Sequence, residues 1–199
     1  MSELKRDTEL LYEVGCLRHV MRTWKSFNGA DVANTAEHSF RVSWIALTLS
    51  KLEGKGSHEK ILKLALAHDM TETRTGDTNY ISRQYVKRND ELAVRDIFFD
   101  TVHEKEMLEL FAEYEKRESI ESQIVKDADL LDVDMELQEL KARGDSLGSI
   151  WKEKREEMVY PKFYTKSAQE LFKSVYANDV HDWHDVSARN RFNNGDWKK

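Results

Sequence analysis

The chain has 199 residues, of which 34% are charged, and its formal net charge is −6. A chain of this length is expected to fold as one domain with a sizeable core, and its negative charge disfavours binding to the backbone of a nucleic-acid polymer. The single cysteine, Cys16, excludes an intrachain disulfide and a cysteine-rich zinc module.

The same composition bears on compartment and fold class. A lone cysteine is typical of a reducing compartment, the first residues form no apolar leader, and no stretch approaches the roughly 18 apolar residues of a membrane span. We therefore expect a cytoplasmic protein that has neither a membrane nor a nucleic-acid polymer as a partner. One proline and eight glycines are few for this length, so the composition favours an all-α fold.

The first predicted element is an amphipathic helix near the N-terminus. Its buried stripe, at helical spacing, comprises Leu10, Val14, Leu17 and Met21. The stretch from Thr23 to Asn34 lacks a clean period and contains the turn dipeptide Asn28-Gly29, so we expect a loop there.

Two helices with buried stripes are predicted next. The second helix, which Thr35 could cap, carries on one face His38, Val42, Ile45, Leu49 and Leu52. The run from Gly54 to Ser57 ends this helix and caps its successor. The third helix is expected to end at Thr75 to Asp77. Its inward face comprises Ile61, Leu64, Ala65 and His68. His68 and Asp69 are thus expected in its last turns.

Three further helices are predicted in the second half of the chain. A long helical pattern from Asp90 to Arg117 has strongly charged exposed positions and is interpreted as scaffold. A helix that starts at Ile120 and ends at Gly144 contains Asp127, Asp129, Asp132 and Asp134. Ser167 with Glu170 is typical of a capping box that opens a last helix, and the tail beyond Asn178 is polar.

The dipeptide His-Asp is the first candidate for chemistry, and it occurs at residues 68–69, 181–182 and 184–185. The first copy ends an apolar helical stripe, where a buried imidazole and carboxylate are costly without a partner. A metal ion would be such a partner. The other two copies lie in the hydrophilic tail, so His181 and His184 are interpreted as solvated surface residues.

His68 and Asp69 point about 100° apart on a helix, so they can share an ion only if ligands from neighbouring helices approach it. His38 on the second helix and Asp129 on the fifth could supply them. Two imidazoles and two carboxylates leave coordination positions free for water and substrate, unlike a closed thiolate site. Taken alone, each histidine is more often a hydrogen-bonded core residue. Asp129 also has three alternatives on its own helix, Asp127, Asp132 and Asp134.

The order of these residues resembles a known family. Glu37-His38-Ser39, His68-Asp69 and Val125-Lys126-Asp127-Ala128-Asp129 are similar to the H…HD…D signature of HD-domain phosphohydrolases, over roughly residues 14 to 175. The stretch from His68 through Glu72 to Asp77 is similar to the HD-x-x-E-x-x-x-G-D motif of the 5′-deoxyribonucleotidase branch. The resemblance implies a compact HD-domain helical bundle with a central metal site. It would be a single HD domain over residues 1–199, with a core of about 14–178 and a polar tail of 179–199.

Carried over to this sequence, the resemblance implies one divalent cation, for which manganese, cobalt or magnesium is the first choice and iron or zinc the alternative. Its implied ligands are His38, His68, Asp69 and Asp129. The catalytic residues that handle the attacking water would be Glu72 and Asp77. The substrate contacts would be Arg18, His19, Asp77 and Thr78, with the guanidinium of Arg18 on the phosphate.

Two positions near Arg18 are less settled. This chain has His19 and Val20 where close relatives often carry an aromatic residue or proline, which puts the base and sugar contacts in question. Trp24 could stack on a nucleobase, although a tryptophan near a helix end more often packs in the core.

The resulting hypothesis is a metal-dependent phosphomonoester hydrolase that acts on deoxyribonucleoside 5′-monophosphates. The alternatives are another HD-type hydrolysis, of nucleoside triphosphates, cyclic nucleotides or guanosine tetraphosphate, and a non-enzymatic metal-binding helical regulator. The resemblance also implies a homodimer. The apolar pattern from Phe98 to Phe111 could supply its interface or could equally cover the core.

Overall fold

The computed structural model describes residues 4–185, except for the side chain of Asn28. Over this range the fold is all-α, as the composition predicts, and it contains no strand. The α-helices are α1 (Lys5–Gly15), α2 (Lys25–Asn28), α3 (Thr35–Glu53), α4 (His58–Ala67), α5 (Glu72–Thr75), α6 (Asp90–Phe98), α7 (Glu104–Lys116), α8 (Ile120–Ala142), α9 (Leu147–Met158) and α10 (Lys166–Ala177). Short 3-10 helices comprise Cys16–His19, Ser82–Gln84 and Tyr160–Lys162. None of the described helices is long and apolar enough to cross a membrane.

Helices α3, α4 and α8 form the centre of the bundle. Their apolar faces meet in one buried cluster, in which Leu49, Leu64 and Leu131 are fully buried and to which α10 adds Phe172. Each such side chain stabilises the fold by about 1.5–3 kcal/mol relative to an exposed one. Because all three helices are anchored in this cluster, residues at their ends keep fixed relative positions.

The start of α3 is fixed by a capping box that differs from the predicted cap. The Asn34 side chain accepts a hydrogen bond from the Glu37 N–H, and the Glu37 carboxylate accepts one from the Asn34 N–H, each at 3.0 Å. Such a reciprocal pair satisfies two of the free donors at a helix start. Thr35 is therefore the first helical residue, and His38 lies in the first turn. The helix ends at Gly54, which has φ 64°, and Ser57 caps α4, both as predicted.

The N-terminal stripe is only half buried. Leu10 and Leu17 are buried, but Val14 and Met21 are exposed, because α1 ends at Gly15 and a 3-10 helix then changes the phase of the side chains. The predicted loop before α3 contains the short helix α2, which ends at Gly29 in the left-handed conformation.

The single helix predicted from Asp90 to Arg117 is wrong. It is divided into α6 and α7 by residues 99–103, where Asp100 has φ 56°. A straight helix would separate Ile97 and Phe111 by about 20 Å, whereas both belong to one buried cluster with Leu10 and Met70. The break lets both helices cover the core, and Phe98 and Phe111 are both buried within the subunit.

The ends of three other helices agree only in part with the prediction. Helix α4 ends at Ala67, so His68 is its C-terminal cap and Glu72 starts the separate helix α5. Helix α8 ends at Ala142, and Gly144 has the left-handed φ of 93° expected at such an end. The cap of α10 is Thr165, whose side chain accepts from the Ala168 N–H, so the predicted Ser167 capping box is wrong. Helix α9 was not predicted.

Candidate active site

The structure brings together four side chains from three parts of the bundle, namely α3, the end of α4 and the middle of α8. His38 Nε2 lies 3.2 Å from Asp129 Oδ1, 3.4 Å from Asp69 Oδ2 and 3.4 Å from His68 Nε2. His68 Nε2 is 3.2 Å from Asp69 Oδ2. One ligand atom from each of His38, His68 and Asp69 lies within 4.8 Å of the others, which is compatible with one divalent cation.

The two imidazole rings are oriented as metal ligands require. His38 Nδ1 faces Asp132 Oδ2 at 2.6 Å, and His68 Nδ1 faces the Ala65 carbonyl at 2.8 Å. With acceptors at both Nδ1 atoms, the Nδ1 positions carry the hydrogens, and the Nε2 lone pairs of the neutral rings point into the cluster. Two such lone pairs and two carboxylates form a nitrogen and oxygen donor set that suits manganese, cobalt, magnesium, iron or zinc. The residues present therefore fit a divalent cation.

The carboxylates of the cluster favour the protonated form of the two imidazoles. Burial alone would lower the pKa of both histidines, but the surrounding carboxylates raise the pKa of His68 and raise that of His38 well above 6.5. Burial would raise the pKa of Asp69 and Asp129, yet the histidines and, for Asp129, the Lys126 ammonium hold both well below 3.8. A bound cation would replace the two imidazolium charges.

The neighbouring aspartates of α8 are occupied elsewhere. Asp127 accepts hydrogen bonds from the backbone N–H groups of Tyr164 and Thr165 at 2.9 and 2.8 Å. Asp134 is paired with Arg155 at 2.6 Å. Asp132 lies behind His38, where it also accepts from Arg41. Asp129 is thus the member of this group whose carboxylate faces His38 Nε2. Asp132 lies one helical turn beyond Asp129, and this spacing could have indicated its role behind the ligand.

A cleft of about 450 Å³ opens beside the cluster. It is lined by charged side chains that include Arg22, Glu72, Asp77, Arg88, Arg117 and Lys126. Arg22 Nη1 lies 3.7 Å from Asp69 Oδ2, so its guanidinium stands at the cluster. Arg18 and His19 are exposed on the 3-10 helix, where Arg18 Nε donates to His19 Nε2 at 3.1 Å, and neither lines the cleft. Sequence reasoning missed Arg22 because two arginines lie one turn apart and periodicity does not choose between them.

Glu72 and Asp77 lie on the wall of this cleft. Glu72 is buried, and its carboxylate accepts from Thr35 Oγ1 at 3.1 Å and from Arg88 Nη1 at 3.3 Å. Burial, together with the nearby charges of Asp69 and Asp77, raises the pKa of Glu72 to about 7. Asp77 accepts from the backbone N–H and the hydroxyl of Thr23 at 2.6 and 2.9 Å. A carboxylate with a pKa near neutrality can accept and return a proton.

Four other candidate residues lie away from the cluster. Thr78 is buried outside the cleft lining, and its carbonyl accepts from Arg83 Nε at 2.7 Å. Trp24 is buried against Trp151, with ring centroids 5.8 Å apart, as in the core-packing alternative. His181 and His184 are exposed and contact each other, and their sequence neighbours from residue 186 onwards lie outside the described residues.

A family model described as "HD domain" matches residues 14–175. The chain therefore belongs to the HD-domain family, as the motifs predicted. Among solved structures, a conserved hypothetical protein from Pyrococcus furiosus has a TM-score of 0.68 and 28% identity, over 86% of this chain and 99% of that one. A protein from Magnetospirillum magnetotacticum MS-1, described as a predicted metal-dependent phosphohydrolase, has a TM-score of 0.69 over 88% and 92% of the chains. At 19% identity, it supports the fold alone.

The chain is also similar to curated enzymes. It is 32% identical to 5′-deoxynucleotidase HDDC2 of Danio rerio over 126 residues, which are 60% of this chain and 62% of that protein. It is 30% identical to 5′-deoxynucleotidase HDDC2 of Homo sapiens over 127 residues, or 61% of each chain. The matched region thus spans about three fifths of the length of these relatives.

Proposed function

We propose that this protein is a metal-dependent phosphomonoester hydrolase that converts deoxyribonucleoside 5′-monophosphates into deoxynucleosides and phosphate. The observation that carries the proposal is the His38, His68, Asp69 and Asp129 cluster at the wall of a cleft that also contains Arg22 and Glu72. The names of the curated relatives support deoxynucleotides as the substrate class.

The cluster residues would hold one divalent cation, with manganese, cobalt or magnesium as the first choice and iron or zinc as alternatives. When bound, the cation supplies a Lewis acid that offsets phosphate charge and makes water more acidic. Its charge would offset the same carboxylates that raise the pKa of both histidines, and it would bind the neutral form of their rings.

Arg22 would bind the phosphate. Its guanidinium is held beside Asp69, it keeps its charge at any physiological pH, and its planar donors match phosphoryl oxygens. In this account Arg22 takes the role that the sequence motif suggested for Arg18, while Arg18 and His19 remain sequence-based candidates outside the cleft.

Glu72 would act as the base. The hydrogen bonds from Thr35 and Arg88 fix its carboxylate, and a pKa of about 7 suits it to accept the proton of a water molecule that attacks phosphorus. Asp77, fixed by Thr23, is the second carboxylate that can orient this water. The bond between phosphorus and the deoxyribose 5′ oxygen breaks as the new bond forms, and Glu72 returns its proton to that oxygen, which leaves as the 5′ hydroxyl of the deoxynucleoside.

Phosphate release from a panel of deoxy- and ribonucleoside 5′-monophosphates tests the substrate class, with manganese-, cobalt- or magnesium-loaded protein and a chelated control. We expect metal-dependent release that favours deoxy substrates and that is lost in Glu72→Gln. Release only from nucleoside triphosphates, cyclic nucleotides or guanosine tetraphosphate would assign another HD reaction. Metal binding without any hydrolysis would indicate a regulator.

We also propose that the protein works in the cytoplasm. Its single cysteine, Cys16, is free and exposed, which suits a reducing compartment. Fractionation of cells that produce the protein, with an antibody against the chain, tests this location.

A further inference from the structure

Arg117 occupies an unusual backbone position at the edge of the cleft. It follows the last residue of α7, with φ 57° and ψ 28°. Glycine is the usual residue at such a left-handed helix end, because a Cβ atom is disfavoured there. The Arg117 carbonyl accepts from Gln123 Nε2 at 3.0 Å, which ties this turn to α8. The side chain is therefore presented from a position where glycine would serve the backbone better.

An aromatic ring holds the Arg117 guanidinium near the metal cluster. Its Cζ atom lies 3.3 Å from the centroid of the Tyr114 ring, and the Tyr114 ring packs edgewise on His68 with centroids 5.7 Å apart. Two contacts in series thus connect the guanidinium to a candidate metal ligand. The contact with the ring therefore restricts the position of the guanidinium beside the cluster.

The hydrogen-bonding capacity of Arg117 is only partly used. Its Nη1 atom is buried and has no hydrogen-bond partner among the described residues. Its Nη2 atom is 3.7 Å from the exposed Glu115, which is too long for a strong ion pair. Two other cations of the cleft have closer carboxylates, since Arg88 is paired with Asp90 at 3.1 Å and Lys126 with Asp129 at 2.7 Å. A buried donor without a partner is unfavourable and calls for an explanation.

We propose that Arg117 is a second phosphate-binding residue of the cleft and that its Nη1 group donates a hydrogen bond to a phosphoryl oxygen of the substrate. This inference rests on the proposed function, because it places a phosphate ester in the cleft. A phosphoryl oxygen satisfies the buried donor, and the stacked guanidinium needs little ordering to bind it. Arg22, beside Asp69, lines the same cleft as Arg117. Two guanidinium groups in one cleft favour a dianionic phosphomonoester over a monoanionic phosphodiester.

The test is the affinity of the metal-loaded full chain for inorganic phosphate, measured by isothermal titration calorimetry, together with KM for a deoxynucleoside monophosphate. Arg117→Gly removes the guanidinium and suits the left-handed backbone, so its Tm stays at or above that of the wild type. We expect a roughly tenfold weaker phosphate affinity and a similar rise in KM.

Two further variants complete the test. Arg117→Lys keeps the charge but loses the planar fork, so its phosphate affinity is expected to lie between those of the wild type and Arg117→Gly. It replaces Arg117→Gly in the test if that variant does not fold. Lys116→Gln, the matched control, removes an exposed positive charge one residue earlier and stays within about twofold of the wild type.

The outcomes separate this inference from the function on which it rests. Unchanged phosphate affinity and KM in folded Arg117→Gly, with monophosphates still hydrolysed, overturn the role of Arg117 alone. A wild type that hydrolyses no monophosphate, but loses phosphate affinity on Arg117→Gly, overturns the proposed function and supports the anion site. An equal loss in Lys116→Gln also overturns the inference, because general charge would then explain the effect.

Discussion

His38 contacts carboxylates on both sides of its ring. Asp132 accepts from Nδ1 at 2.6 Å, while Asp129 and Asp69 lie within 3.4 Å of Nε2. The first contact fixes the tautomer and the ring plane, and the second side is the one that a cation would occupy. The same carboxylates raise the pKa of His38, so we expect protons and a cation to compete for this ring.

We expect the affinity for divalent cations to rise with pH. The pKa values of His38 and His68 are raised above 6.5 in the metal-free fold, and a cation binds only the neutral rings. The stability that these histidines give the metal-free protein is present below pH 6.5 and is lost as pH rises through their folded pKa values. Thermal unfolding between about pH 6 and pH 9, with and without a chelator, measures both trends. A stabilisation by metal that shrinks with rising pH would contradict this protonation scheme.

Arg18 and Arg22 are the two arginines near the start of the chain that could bind the substrate phosphate. Arg22 stands at the cluster, whereas Arg18 is exposed and bonded to His19. We expect Arg22→Gln to lower kcat/KM for a deoxynucleoside monophosphate roughly 100-fold, because it removes a charge-assisted contact to phosphate. Arg18→Gln is the matched control and should retain activity within about twofold. The reverse ranking of the two variants would indicate that Arg18, and not Arg22, binds the phosphate.

At the scale of elements, the sequence predicted those parts whose signals are local. Helices α3, α4 and α8 have apolar stripes and end signals within a few residues, as with Gly54 and Ser57. The break between α6 and α7 was missed because it depends on where Ile97 and Phe111 must pack. The helix α9 was missed for a similar reason, since Arg155 is held by Asp134, 21 residues earlier. The ordered histidine and aspartate motifs predicted the four residues that cluster, but not the arginine beside them.

The contact between α9 and α8 depends on one glycine. A Cβ atom at Gly148 would lie 2.2 Å from the Leu137 carbonyl oxygen, a distance that backbone atoms cannot accommodate without a shift. We expect Gly148→Ala to destabilise the fold by about 1–3 kcal/mol, or roughly 2–4 °C in Tm per kcal/mol. Gly15→Ala is the control, because no atom lies within 4 Å of its added Cβ. A Tm for Gly148→Ala equal to that of the control would show that α9 does not pack closely on α8.

At the scale of the whole molecule, an exposed apolar face remains to be explained. A groove of about 670 Å³ between α1, α3 and α4 is lined by aliphatic and aromatic side chains, of which several are exposed: Leu11, Phe40, Trp44 and Leu66. Contiguous apolar surface of this kind marks interaction sites in soluble proteins. We propose that a second copy of the chain covers this face, to which Phe98, His103 and Met107 also contribute from the segment that the sequence analysis gave as a possible interface.

Light scattering after size exclusion measures the oligomeric state. We expect the wild type to have twice the 23.4 kDa mass of one chain and Trp44→Glu to be monomeric, because a buried charge at the interface would lack a partner. Tyr85→Glu changes an exposed aromatic residue outside this face and should leave the dimer intact. A monomeric wild type at tens of micromolar would contradict the proposed dimer.

The central claim is that the four-residue cluster holds the divalent cation on which hydrolysis depends. The most direct test compares metal content and phosphate release in the same preparations of Asp129→Ala and Asp127→Ala, two aspartates that lie two residues apart on α8. Because Asp129 faces His38 Nε2 and Asp127 binds the segment before α10, we expect Asp129→Ala to lose both the metal and the activity while Asp127→Ala retains the metal. Full metal content in Asp129→Ala together with its loss in Asp127→Ala would contradict the account.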